Sequence, residues 1–111
     1  MPEFRHPAEI TADAQGDGWS VSTLADGSHV PGMAMKARLW RLDAGATGPE
    51  ETWDESSERF LYVVSGSGRL VTGARVEELG LEDMVWIERG DRFRLSATGA
   101  AGLSVLDATS T

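Results

Sequence analysis

The chain contains no cysteine. That excludes a disulfide framework, thiolate catalysis and every zinc or iron–sulfur site built on Cys. It suits a reducing compartment, so a cytoplasmic location is expected. Histidine is nearly as scarce: His6 and His29 are the two in 111 residues. A centre of three imidazoles within one chain is therefore impossible. Basic residues are also in deficit, with 10 Lys and Arg against 18 Asp and Glu and a formal net charge of −8. Such a surface repels phosphate backbones and anionic lipid, which argues against nucleic acid and membranes as partners. No apolar run approaches the length needed to cross a bilayer, and Met1 to Ala14 is too polar for a secretory core.

What the chain does have is turn chemistry. Thirteen glycines and four prolines punctuate it at short intervals, which favours short strands over long helices. Trp19 to Leu24 alternates as a short strand. From Met33 to Leu42 one parity carries Met33, Met35, Ala37 and Leu39, and the other carries Lys36, Arg38 and Trp40. This is the pattern of a half-buried antiparallel strand. Asp43 to Pro49 breaks it and reads as a loop. Phe60 to Val64 is aromatic and β-branched and ends in Ser65-Gly66-Ser67-Gly68, a hairpin signal, with Arg69 to Thr72 returning. Further strands are expected at Val76 to Leu79, Met84 to Ile87, Phe93 to Ser96 and Leu103 to Leu106. About eight strands at spacings near ten residues, with no convincing amphipathic helix, predict a single all-β domain, a sandwich or barrel. Residues 1–18 show no sustained period and read as an arm or edge segment, leaving 19–111 for the barrel.

Two stretches carry a family resemblance. Glu58-Arg59-Phe60-Leu61-Tyr62-Val63-Val64-Ser65-Gly66-Ser67-Gly68, with the glycine loop from Gly45 ahead of it, resembles the first motif of the cupin superfamily. Glu82-Asp83-Met84-Val85-Trp86-Ile87-Glu88-Arg89-Gly90-Asp91-Arg92-Phe93 resembles the second. The resemblance spans about residues 33 to 107. It implies a double-stranded β-helix, a jelly-roll barrel whose interior holds the site, and a homodimer through an outer sheet.

The resemblance also implies where a metal would be held, and there this sequence departs from it. Counting back six from Gly66 puts Arg59 where the family has a carboxylate or amide ligand. The paired histidine positions fall on Thr52 and Asp54 or on Trp53 and Glu55; anchoring on Glu58 gives Glu51 and Trp53, or Thr52 and Asp54. In the second motif Phe93 stands at the histidine and Glu88 at the proline, while Gly90 is kept. A slip of one residue exchanges inward for outward side chains, so the alternatives place different groups in the barrel.

Three readings follow. In the first the centre is metal-free and binds a small organic molecule. Arg59 paired with Asp54 is its polar handle, aided by Thr52, and Leu61, Val63, Trp86 and Phe93 form the lining, with Trp53 a further candidate. In the second, a hard divalent cation sits on oxygens of Glu51, Asp54 and Glu58, within the acidic run that also holds Glu50 and Glu55. In the third the barrel is filled by side chains, and the protein is a dimeric structural or interaction module. An enzymatic variant of the first, a lyase, isomerase or cyclase, needs a carboxyl of raised pKa in the pocket, Asp54 or Glu58. Tyr62 has the parity opposite to Arg59 and Leu61 and is expected on the outer sheet.

Overall fold

A computed structural model describes residues 12–25, 35–53, 58–73, 75–88 and 90–110. Ten strands follow one another: β1 (Ala14–Gly16), β2 (Trp19–Ala25), β3 (Met35–Leu42), β4 (Glu51–Trp53), β5 (Arg59–Gly66), β6 (Gly68–Thr72), β7 (Arg75–Leu79), β8 (Met84–Ile87), β9 (Asp91–Ala97) and β10 (Leu103–Ser110). They form two antiparallel sheets, six strands in the order β1-β2-β3-β10-β5-β8 and four in the order β4-β9-β6-β7. The chain adopts the all-β architecture expected from the turn spacing, in the jelly-roll form that the resemblance implies. No described helix is long and apolar enough to cross a membrane.

The core lies between the sheets, and period-2 alternation puts it there. On β5, Arg59, Leu61 and Val63 are buried while Phe60 and Tyr62 are half-buried on the opposite side. Tyr62 therefore has the outer position its parity predicts. A bulge against β10 at Ser104/Val105 then breaks the alternation, and Val64 and Ser65 are both exposed. β10 is the spine of the larger sheet, paired along its length with β3 on one side and β5 on the other. Its inward parity reads Leu103, Val105, Asp107, two aliphatics and an acid, each at most 2% exposed.

β3 shows which parity the core selects. The one that reads as the charged face, Arg38 and Trp40, is opposite Asp107 and Val105 in register and so points inward. Trp40 is 2% exposed. Met33 lies outside the described residues, and Leu39 is on the outer parity, though it too is buried.

Two three-residue strands, β1 and β4, escape a periodicity argument because they are too short to show a period. β4 lies at the start of the acidic run and is held by pairing with β9. The far end of the barrel closes tightly. Gly66 (φ +81) and Gly102 (φ +79) meet there, and a Cβ on Gly66 would stand 2.0 Å from the Gly102 carbonyl oxygen. Only glycine fits both the left-handed backbone and that approach. The connections after β2, β4, β6 and β8 all leave from the opposite end, where β5 and β9 begin.

A buried ion network at the candidate metal position

Arg59 opens β5 and Phe93 lies near the start of β9, on facing sheets. Both side chains point into the barrel and each is 1% exposed. The guanidinium carbon of Arg59 is 4.8 Å from the centroid of the Phe93 ring, a cation–π contact shielded from water. On its other side Arg59 grips Asp107: Nε donates to Oδ1 at 2.9 Å and Nη2 to Oδ2 at 2.5 Å. That two-point geometry is the strongest form of arginine–carboxylate pairing.

Asp107 takes more than one partner. Arg38 Nη2 donates to its Oδ2 at 2.8 Å and the Trp40 indole Nε1 at 3.0 Å. Burial alone pushes the carboxyl up. The hydrogen bonds and charges of Arg59, the charge of Arg38 and the indole N–H outweigh it and hold Asp107 below its ordinary value of 3.8. Glu51 on β4 approaches Arg38 from the other side, with Oε1 3.5 Å from Arg38 Nη2, the two side chains being 27% and 20% exposed. The network thus runs from the dry centre at Asp107 to the barrel mouth at Glu51.

This geometry settles the register left open by counting. Glu51 is opposite Phe93, and Trp53 opposite Asp91. Residues directly opposite share a face, so position 51 belongs with Phe93. Thr52, expected in the pocket, is instead exposed and stands opposite the exposed Arg92. Trp86, expected in the lining, is 55% exposed and stacks on Phe60, ring centroids 5.9 Å apart and planes 6° from parallel. Its pairing with Phe60 fixes it to the outer parity. Leu61 and Val63 do lie between the sheets, each 1% exposed. Asp54 and Glu55 lie outside the described residues, and Glu58 is exposed.

Among the described residues, the donor set does not fit a transition metal. At the positions where the family holds one, this chain presents a carboxylate already facing Arg38, a cationic guanidinium and a phenyl ring. Cations and hydrocarbon do not ligate cations. Among the described residues, no three His, Cys, Asp or Glu converge on a point. Counting from motifs missed Asp107, because the third inward residue of β10 lies beyond where the apolar run ends at Leu106. The signal was present: Leu103, Val105 and Asp107 share one parity, and an acid on a core parity demands a cation.

Comparison with known proteins agrees with the architecture. A model of the cupin domain matches residues 38–109. A predicted oxalate decarboxylase from Thermotoga maritima superposes with a TM-score of 0.81 at 14% identity, over 97% of this chain and 98% of that one. The polyketide cyclase RemF from Streptomyces resistomycificus gives 0.79 at 19%, over 99% and 80%. KdgF from a Halomonas species gives 0.75 at 21%, over 97% and 94%. An alpha-agarase of Thalassotalea agarivorans is 36% identical over 84 residues, which is 72% of this chain and 5% of that enzyme's length. With the two motifs, the double sheet and the domain match in agreement, this chain belongs to the cupin family.

Proposed function

We propose that this cupin domain is metal-independent and serves as a binding module, its centre occupied by its own side chains. One observation carries this reading. Arg59, at the position of a ligating carboxylate, is clamped between Asp107 and Phe93 with 1% of its surface exposed. A ligand anion would have to displace Asp107 from Arg59, breaking both hydrogen bonds of a buried ion pair and leaving that carboxylate to Arg38 and Trp40 alone, at a cost on the order of a few kcal/mol. Holding an organic anion on Arg59 is therefore the weaker reading. So is acid–base catalysis from the centre. A carboxyl held below its ordinary pKa by four donors is ionised at neutral pH and is a poor proton donor and a poor base.

The solved neighbours are under 25% identical and support the fold, not their own activities. The agarase match covers a small piece of that enzyme.

Metal content tests the proposal. Protein purified without added metal should carry substoichiometric transition metal by plasma mass spectrometry. Its melting temperature should be unchanged by chelator or by added manganese, iron, nickel or zinc. A stoichiometric metal that survives dialysis, or a melting point raised by one of these ions, would refute it.

A further inference from the structure

Among the described residues, β8 ends the six-stranded sheet and β7 ends the four-stranded sheet. Between them lies a cleft of about 590 Å³. All four residues of β8, Met84 to Ile87, line it. Their side chains alternate between the two faces, so four consecutive residues reach one cleft only because the strand presents its backbone edge to it.

The hydrogen-bond phase shows which groups are on offer. Val63 N–H donates to the Asp83 carbonyl at 2.9 Å. Bonded pairs in an antiparallel ladder recur every second residue. Leu61 with Val85 and Arg59 with Ile87 are therefore the bonded pairs, which turns the N–H and C=O of Met84 and Trp86 outward, into the cleft. Natural edges are usually guarded by lysine, proline or a bulge. This one carries none of them and presents Met84 and Trp86, 60% and 55% exposed.

The charge around the edge selects the occupant. Among the described residues, Glu77, Glu78, Asp83, Glu88 and Asp91 line the cleft, against one guanidinium, Arg75. Glu77 and Glu78 lie in pairs with Arg75 and Arg69, exposed pairs of the kind that contribute little and exchange readily. Asp83 and Asp91 accept the backbone N–H of Gly80 and Glu88, so they also shape the turns. A second copy of this chain would bring the same acids to the same edge and carry its own net charge of −8.

We infer that β8 docks an extended basic segment of another polypeptide as an added strand lying in the cleft between β8 and β7. Main-chain hydrogen bonds to Met84 and Trp86 would hold it, and alternate lysine or arginine side chains would meet the acidic lining. The inference rests on the reading of the domain as a binding module, and its test is independent of metal content.

The test uses an acetylated and amidated peptide alternating lysine and valine. Two controls accompany it: a glutamate–valine peptide, and the lysine–valine peptide with N-methyl groups on the amides of one edge. Calorimetry and backbone amide shifts of the whole protein are the readouts. Saturable binding, with shifts at residues 84–87 and 75–79, should appear with the lysine peptide. Loss of two backbone bonds on N-methylation should weaken it by about tenfold or more. Met84→Pro, which removes one outward N–H at an edge position where proline is tolerated, should weaken it similarly. Any one of four results overturns the inference: no saturable binding, equal affinity for the glutamate peptide, unchanged affinity after N-methylation, or sedimentation showing a dimer that Met84→Pro dissociates. The N-methylated peptide decides even if the Met84→Pro variant does not fold.

Discussion

Replacing Asp107 with asparagine isolates the central network. The change keeps shape and one acceptor oxygen. It removes the charge that answers Arg59 and Arg38, and turns an NH2 group toward donors that lie 2.5 to 3.0 Å from the native oxygens. Arg59, 1% exposed, cannot recover the loss from water. Breaking a buried ion pair from one side costs about 3–5 kcal/mol. Total stability of such a domain is about 5–15 kcal/mol. At about 4 °C per kcal/mol for a chain of this length, melting should fall by about 12–20 °C. Urea titration should show the same loss as a lower midpoint with an unchanged slope. A companion double variant, Arg59→Met with Asp107→Leu, removes both charges and leaves Arg38 facing Glu51. It should recover to within about 2 kcal/mol of the native protein, because an apolar pair of similar volume avoids desolvation. If Asp107→Asn costs less than about 1 kcal/mol, the value of a surface pair, the network is not the buried clamp described above.

Acid should expose the same group. The folded carboxyl of Asp107 lies below the unfolded value of 3.8, so its stabilisation is complete above that pH and is lost as pH falls through the folded value. The stability difference between native protein and Asp107→Asn should be flat above about pH 5 and shrink below it in urea titrations. At the other end of the barrel, Gly66→Ala should cost about 2–3 kcal/mol, since φ +81 and a carbonyl oxygen 2.0 Å from the new Cβ leave no relaxed position. A loss under about 0.5 kcal/mol in calorimetry would contradict that close approach.

Much of the fold was legible because β-structure writes itself at short range. Turn glycines and period-2 runs located eight of the ten strands, and the parity of Arg59, Leu61, Val63 and Tyr62 on β5 could be read directly. β4 could not. Three residues carry no period, and β4 exists because β9 lies beside it. Thr52, assigned by counting from a motif, and Trp86, taken as apolar lining, were misplaced because cross-strand pairing sets which way a side chain points.

Composition alone determined that no three-histidine centre could exist within this chain, and alternation alone put Arg59 on the same face as Leu61 and opposite to Tyr62. What occupies that centre was decided only when β3, β10 and β5 came together. Asp107 is 48 residues from Arg59 and 69 from Arg38 along the chain. No local pattern links residues so far apart. A carboxylate buried on one strand is stable only where the sheet delivers cations to both its oxygens, and that is a property of tertiary pairing.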